Sequence, residues 1–469
     1  MRIKAVLALF LSLAIIIISL SGGTGCANII PPSGGPRDSL PPQLIKATPP
    51  DSSRNISSNR ITFTFDEYIE LQNVQANLIV SPIPEKFPTV DYRLNTVTVR
   101  LRDTLESNTT YSFNFGNSIK DYNEGNILPG FTYVFSTGPT IDSLEFKGNV
   151  LLAETGKVDS TLIVMLHKSG DDSAVAKERP RYITKLDRDG DFIFKNMPAG
   201  IFYLYALQDQ SGSQKYLDTK NLFAFADTPV VISRETAPVT LYAYAETTST
   251  TPAIPQLRPR TGGAGENRLR YQTSLSGDKH DILEKFQFSF EQPLKTFDSS
   301  KIKFTTDSTF TEVTGYSWEI DSTLKKIQLN YQWNENTLYH FILEKDFAVD
   351  TSDRVLLKND TLSFRTKARS EYASLRIRFR NLDLTGNPVL QLIVGNEIKK
   401  SIPINAEEIY EPLFLPGDYE LRLLYDRNKN GKWDPGQFFG KHIQPEIAKP
   451  VERRLAVKPG QENEFEIAL

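Results

Sequence analysis

The 469-residue chain has a single cysteine, Cys26. One thiol cannot form an intrachain disulfide, so the folded chain depends on packed cores for its stability. Two basic residues, an apolar run over 5–20 and a small-residue stretch over 21–25 precede Cys26. This order is typical of a secretory signal, and the run is slightly short for a membrane-spanning helix. The pattern predicts a signal peptide at residues 1–25 and a lipid attachment site at Cys26. The alternative is an N-terminal membrane anchor with an incidental cysteine.

The chain also lacks the short motifs that mark common enzyme sites. It has no G-x-S-x-G elbow, no phosphate-binding loop and no dinucleotide-binding glycine pattern. Four histidines are scattered without metal-binding spacing, which argues against zinc or histidine catalysis; they are His167, His280, His340 and His442. A pair of catalytic carboxylates has no local signature, so a hydrolase stays an alternative. We predict no catalytic residue and no enzyme activity.

Net charge and aromatic content indicate which partners and which fold class to expect. Loss of Arg2 and Lys4 with the signal leaves 52 basic and 57 acidic residues, so we expect no nucleic-acid partner. The 28 Phe and 19 Tyr residues against three Trp and three Met favour β-structure. Short period-two runs with turn residues between them predict antiparallel strands; examples are residues 61–65, 96–101, 111–115 and 131–135. The closest approach to helical spacing, over 298–306, is too short for a helix.

An internal repeat organises the mature chain. ITFTFD (61–66), NTTY (108–111) and FST (135–137) recur as FQFSFE (286–291), NTLY (336–339) and FRT (364–366), at an offset of about 225–229 residues. The following segments also correspond, for instance MPAGIF (197–202) and LPGDY (415–419). The order is therefore A1-B1-linker-A2-B2. We predict an all-β chain with seven or eight strands per domain: a tether at 26–43, A1 at 44–138, B1 at 139–246, a Thr/Pro/Gly linker at 247–266, A2 at 267–368 and B2 at 369–469.

These motifs carry a family resemblance. The A domains resemble bacterial Ig-like domains of the S-layer-protein type, through PPD (49–51), ITFTFDE (61–67), NTTY and FST. The start of the mature chain, Cys26 followed by PSGGPRDSLPP (32–42), is similar to lipoproteins of Bacteroidota that carry this domain first. The B domains resemble prealbumin-like, carboxypeptidase-regulatory β-sandwiches, through GNV (148–150), DGDFIF (189–194) and MPAGIFYL (197–204). The resemblance implies tandem β-sandwiches in the cell envelope and supplies no catalytic residues.

The strongest local motif is DRNKNGKWD at 426–434. Asp426, Asn428, Asn430 and Asp434 stand at alternate positions around a glycine, as in the start of a calcium loop. Position twelve of such a loop is Gln437 in place of glutamate, and the flanks read as strands. The other interpretation is a turn in which Asx side chains bind their own backbone. Ca²⁺ is thus the one cofactor that the sequence suggests. Two weaker candidate loops are also acidic: one contains Asp209, Ser211, Ser213 and Asp218, and the other contains Asp187, Asp189 and Asp191.

Trp433 is the tryptophan that we expect to be partly exposed, because it lies in this polar loop. It is the contact candidate, whereas Trp318 and Trp333 alternate with apolar residues and should face a core. The leading hypothesis is a lipid-anchored, non-enzymatic binding or spacer scaffold whose partner is an envelope protein or a glycan. A carbohydrate-binding or adhesive surface lipoprotein is the alternative. In the lipoproteins that the start resembles, export signals after the cysteine are charged. ANIIPP (27–32) has no charge, which favours an outer-membrane lipoprotein facing the periplasm.

Overall fold

The structure, a computed structural model, describes residues 37–247 and 268–469. Cys26, the signal peptide and nearly all of the predicted linker lie outside the described residues. The chain divides into two compact units between Ile141 and Asp142. The first unit contains A1, and the second contains B1, A2 and B2. The exact limits of the four domains stay predictions.

Alternating burial builds A1. In the segment RITFTF, Ile61, Phe63 and Phe65 are fully buried, whereas the residues between them are at least partly exposed. A strand turns every second side chain to one face, so the three residues enter one core. The elements of A1 are β1 Leu44–Thr48, β2 Arg60–Phe65, β3 Ile69–Leu71, α1 Val74–Asn77, β4 Ile79–Ser81, β5 Thr89–Arg93, β6 Thr96–Arg100, β7 Thr110–Asn114, β8 Ile119–Asp121, β9 Ile127–Leu128 and β10 Thr132–Ser136.

B1 has its own core, which contains Phe146, Phe192 and Phe194. Its first and last strands pair in parallel, from Gly148↔Val239 to Leu152↔Ala243. The elements of B1 are β11 Leu144–Leu152, β12 Ile163–His167, α2 Ala174–Lys177, β13 Tyr182–Lys185, β14 Asp191–Met197, β15 Gly200–Leu207, β16 Phe223–Phe225, β17 Val230–Ile232 and β18 Val239–Ala243.

A2 repeats the alternation of A1 around Phe286, Phe288 and Phe341. The 298–306 segment is a 3₁₀ turn, Ser299–Lys301, followed by a strand. The strands of A2 are β19 Tyr271–Thr273, β20 Lys279–His280, β21 Phe286–Phe290, β22 Leu294–Phe297, β23 Ile302–Thr306, β24 Thr311–Glu312, β25 Ser317–Ile320, β26 Lys326–Asn330, β27 Leu338–Leu343, β28 Ala348–Asp350 and β29 Asp360–Thr366.

B2 follows after a 3₁₀ turn at Arg369–Glu371, and a third such turn lies at Leu384–Gly386. Its first and last strands again pair in parallel, from Ser374↔Glu462 to Arg380↔Ala468. The strands of B2 are β30 Ala373–Arg380, β31 Pro388–Val394, β32 Glu397–Pro403, β33 Glu408–Phe414, β34 Gly417–Tyr425, β35 Ile447–Val457 and β36 Glu462–Ala468.

The sheet orders confirm the all-β tandem architecture, and the repeat is visible in them. A1 has the order β1-β2-β6-β5 where A2 has β19-β21-β26-β25, and β4-β7-β10 corresponds to β23-β27-β29. B1 has β14-β11-β18 and β13-β12-β15-β16, which B2 reproduces as β33-β30-β36 and β32-β31-β34-β35. The B domains have eight and seven strands as expected. The A domains have ten and eleven in the described residues, because short ladders such as β3-β8-β9 add to each. Neither of the two short helices in these ranges has the length or apolar character needed to span a bilayer.

Candidate functional site at the junction of B1 and B2

The predicted cation loop lies between β34 and β35, where the chain leaves the B2 sheet at Tyr425 and returns at Ile447. Asp426 is 1% exposed. Its Oδ1 accepts the backbone N–H of Lys429 at 2.7 Å and of Asn430 at 3.3 Å, and its Oδ2 accepts that of Gly431 at 2.6 Å. A buried carboxylate needs such donors to offset its desolvation. Asp426 therefore holds the turn closed from inside.

The other three predicted ligands also come together, but the two asparagines direct their NH₂ donors, rather than their amide oxygens, at the Asp434 carboxylate. The side-chain amides of Asn428 and Asn430 donate to Asp434 Oδ2 at 2.5 and 2.7 Å. Their amide oxygens accept the backbone N–H of Asn430 and Lys432 at 3.0 and 2.7 Å. A cation would need both amides to turn over, which would place NH₂ groups against these N–H donors. The orientation favours the closed Asx turn, which we predict in preference to a calcium site.

Replacement of Asp426 by alanine should destabilise B2 by about 1–3 kcal/mol, because buried N–H donors lose their acceptor. Calcium at millimolar concentration should leave the melting temperature of the whole chain unchanged. Asp434→Asn, which keeps an acceptor in the partly exposed part of the loop, is the milder control. Thermal melts with and without calcium measure both effects. A calcium-dependent rise in melting temperature that Asp426→Ala removes would contradict the turn interpretation.

Two further side chains fasten the loop to the start of β35. Glu446 is 2% exposed, and its carboxylate accepts the N–H of Arg427 at 2.7 Å and of Asp434 at 3.1 Å. Burial raises the pKa of Glu446, with Asp426 and Asp434 adding to the shift. Trp433 Nε1 donates to the carbonyl oxygen of Glu446 at 2.7 Å. The ring of Trp433 is half-buried, as expected, but it packs against clusters within the chain.

The connection after the loop places Phe438 of B2 in an aromatic cluster of B1. Phe438 is 1% exposed. Its ring centroid lies 5.7 Å from that of Tyr205 and 5.1 Å from those of Phe223 and Phe225, and its N–H donates to Glu246 Oε1 at 3.1 Å. Contacts at these distances add to the energy of apolar burial. B1 thus has a second apolar cluster, distinct from its core around Phe146, that is completed by a side chain nearly two hundred residues further along the chain.

Polar contacts border this aromatic cluster. Gln444 Nε2 donates to the carbonyl oxygen of Phe225 at 2.9 Å and to Asp227 Oδ1 at 2.7 Å. The N–H of Ala448, in β35, donates to the carbonyl oxygen of Ala153 at 2.8 Å. Further contacts join Arg422 Nη1 to Glu154 O, Lys157 Nζ to Asn396 Oδ1, and His442 Nε2 to Asp172 Oδ1. We call this set of B1–B2 contacts the junction.

Two glycines allow the domains to approach. A Cβ at Gly156 of B1 would lie 2.3 Å from Pro450 Cδ of B2, and Gly156 has a φ of +65°. A Cβ at Gly436 of B2 would lie 2.6 Å from Tyr244 Cζ of B1. Atoms do not pack at such distances, so a side chain at Gly156 would push against B2, and one at Gly436 would collide with B1 and also with the B2 backbone at Ile443. The close approach of B1 and B2 therefore depends on the absence of side chains at Gly156 and Gly436.

The four histidines occupy separate environments. His167 and His280 are each 1% exposed, and both ring nitrogens of His280 lack hydrogen-bond partners within the described residues. His340 lies between Ser363 Oγ and the carbonyl oxygen of Asp307, at 2.8 and 3.0 Å. His442 belongs to the junction. The structure brings no two of them into one site.

Burial lowers the pKa of His167 and of His280 to about 4, from about 6.5 in an unfolded chain. Between about pH 6.5 and pH 4 each histidine is protonated in the unfolded chain and neutral in the folded chain. The free energy of unfolding therefore decreases as the pH falls through this range. The full effect is about 3 kcal/mol for each histidine. His280 lies in a pocket formed by the rings of Phe286, Trp333 and Phe364. His280→Phe should reduce the decrease in the free energy of A2 unfolding between about pH 6.5 and pH 4, as measured by urea titrations at a series of pH values. An unchanged slope would contradict the assignment.

The weaker acidic loops are also closed by their own backbone. Asp209 accepts N–H groups of Ser213 and Gln214, and Asp187 accepts those of Asp189 and Asp191. Sequence reasoning missed one acidic group, in A1: carboxylate oxygens of Glu67, Asp121 and Glu124 lie within 4.8 Å of one another. Burial, then the neighbouring carboxylates, raises the pKa of Glu67. Glu67 and Asp121 are 54 residues apart, so no local spacing could reveal the group.

Comparison with known proteins identifies one domain. Residues 38–137 match the family model described as Bacterial Ig-like domain. This range covers A1, where the sequence motifs predicted it. No curated protein matches the chain.

Solved structures give only remote likenesses. The N-terminal part of the bacterial S-layer protein SbsC is 18% identical, with 44% of each chain covered and a TM-score of 0.17. This chain therefore spans less than half of that structure. The Bacillus anthracis TIE protein is 12% identical over 93% of this chain and 75% of its own, and the Bacillus cereus pilin subunit BcpA is 10% identical over 69% and 99%, both with TM-scores of 0.17. These scores carry no argument beyond the match itself. The part of the chain whose family is identified is A1, which is similar to bacterial Ig-like domains.

Proposed function

We propose that the chain is a lipid-anchored protein of the cell envelope that works as a non-enzymatic binding or spacer scaffold. It would be held in the outer membrane through Cys26 and face the periplasm. The observation that carries this proposal is the junction, in which Phe438 of B2 fills an aromatic cluster of B1. A scaffold must hold its surfaces at fixed positions, and the junction fixes B2 on B1 although A2 lies between them in sequence.

The side chains that sugar binding or hydrolysis would use make hydrogen bonds within the fold. Trp433, which a sugar-stacking surface would expose, is half-buried and donates to Glu446. The buried carboxylates of Asp426, Asp121 and Asp350 accept backbone N–H groups. Such groups hold turns and are poorly placed to exchange protons with a substrate. These observations support a scaffold over an adhesive lectin or a hydrolase.

Cys26→Ser should release the protein from membranes or leave an uncleaved precursor, because the acylated thiol is the proposed anchor. Membrane fractionation with immunoblotting measures the distribution. Wild-type processing and membrane retention in the Cys26→Ser protein would refute the lipid anchor. Ser21→Ala, in the same small-residue stretch, is the control and should fractionate as wild type.

In-cell cross-linking tests the scaffold itself. A partner adduct should form with the wild type, weaken when the junction is opened by Gly156→Ala, and persist when an exposed loop carboxylate such as Asp189 is replaced by alanine. A hydrolytic activity of the purified protein that one carboxylate substitution abolishes would overturn the proposal.

A further inference from the structure

Within the described residues, the last strand of B1 has one edge that no other strand pairs along its length. β18 pairs with β11 along its other edge. At one end of the free edge, Tyr244 exchanges two backbone hydrogen bonds with Phe223, at 2.8 and 2.9 Å. Alternate residues of a strand direct their N–H and C=O groups to the same edge, so Tyr242 and Thr240 face the same side as Tyr244. Neither of these two has a backbone partner there among the described residues.

This edge opens into a groove of about 670 Å³ between B1 and B2. Residues of β18 and the 225–230 segment form the B1 wall. Tyr425, Arg427, the 444–447 segment and Lys449 form the B2 wall. The hydrogen bonds of Gln444 to Phe225 and Asp227 hold the two walls together. The groove is therefore continuous with the junction, and its width depends on it.

The accessible charges of the groove are mainly basic. Arg427 and Lys449 are exposed, and Lys449 Nζ lies 5.7 Å from the ring centroid of Tyr425. Glu446 is 2% exposed and accepts two N–H groups, so its charge is not available at the surface. Asp227 is the one exposed carboxylate among the lining residues, and it accepts a hydrogen bond from the neutral amide of Gln444. A ligand with a carboxylate opposite the B2 wall would meet the two cations Arg427 and Lys449 there, whereas Asp227 belongs to the B1 wall.

We propose that this groove binds an extended segment of a partner protein, with β-branched and acidic side chains, that adds as a strand to the free edge of β18. Strand addition satisfies the open backbone groups of Thr240 and Tyr242, and the pocket walls select alternate side chains. The proposal deepens the scaffold function and rests on it.

A displayed library of random short peptides, selected on the complete mature chain, tests this proposal. Enriched peptides should be rich in Asp, Glu and β-branched residues. Their affinity should fall at least about tenfold for Thr240→Pro, which removes the edge N–H, and stay within about twofold for the matched control Thr240→Val. Lys449→Glu should also weaken peptide binding. If Thr240→Pro does not fold, the effect of Lys449→Glu is the test of the groove as the binding site.

Absence of enrichment, or equal binding by all variants, would overturn the groove as a docking site and leave the scaffold function standing. Binding of an oligosaccharide panel that Thr240→Pro and Lys449→Glu both abolish, without peptide binding, would also overturn it. Failure of the scaffold function is distinct, because it would appear as a hydrolytic activity that depends on one carboxylate.

Discussion

Replacement of Phe438 by alanine should lower the free energy of unfolding of B1 within the whole chain by about 3–5 kcal/mol. The ring is fully buried against three aromatic residues of B1, and its loss leaves a cavity that the rigid sheet cannot fill. The melting temperature of the B1 transition, followed by calorimetry, should fall although the substitution lies in B2.

Phe439→Ala is the matched control for this experiment. Phe439 is the next residue and is 37% exposed; its ring stacks on that of Tyr216 at 5.6 Å and lies edge-to-face with that of Phe438 at 5.2 Å. Its loss should cost no more than about 1 kcal/mol. Equal effects of the two substitutions, or an effect of Phe438→Ala confined to B2, would contradict the junction.

Gly156→Ala should open the junction from the B1 side. The new methyl group would overlap Pro450 of B2, so either the backbone shifts or the domains separate. We expect a loss of about 2–4 kcal/mol, made up of the collision and the cost of a side chain at positive φ. Hydrogen exchange should rise at β35 and at Ala153.

Gly212→Ala separates the two contributions. Gly212 has nearly the same φ, +69°, and nothing lies within 4 Å of its added Cβ. This variant should lose only the conformational part, about 1 kcal/mol, without faster exchange at β35. If both alanine variants behave alike, the close approach of B1 and B2 is not what constrains Gly156.

Periodicity and repeats predicted the fold because each sheet is specified locally. The ITFTFD and FQFSFE motifs place three large side chains on one face, and the corresponding strands occupy the same position in their sheets. The extra short strands of the A domains, such as β9, have only two residues and no pattern to detect. Trp333 faces a core as predicted, and Trp318 packs against the same core while partly exposed.

The junction could not be predicted in the same way. It joins residues such as Phe225 and Phe438 that share no local pattern and are brought together only by the relative placement of two complete domains. One signal was present: Phe438 and Phe439 are adjacent large apolar residues in a connection whose only other large apolar residues are Trp433 and Ile443. A pair of this kind outside any strand indicates a contact with another surface. The alternating Asx motif was visible in sequence, but the orientation of its amides depends on which backbone groups each side chain can reach.

The central claim is that B1 and B2 are held together by the junction rather than only by the chain between them. A specific protease site placed within residues 248–267 tests it directly, because cleavage there removes the covalent connection and leaves every described contact intact. After cleavage, the A1–B1 fragment should co-elute with the A2–B2 fragment in size-exclusion chromatography under native conditions and separate from it in denaturant. The double variant Phe438→Ala, Gly156→Ala should separate without denaturant. Separation of the cleaved wild-type chain into two species under native conditions would contradict the account.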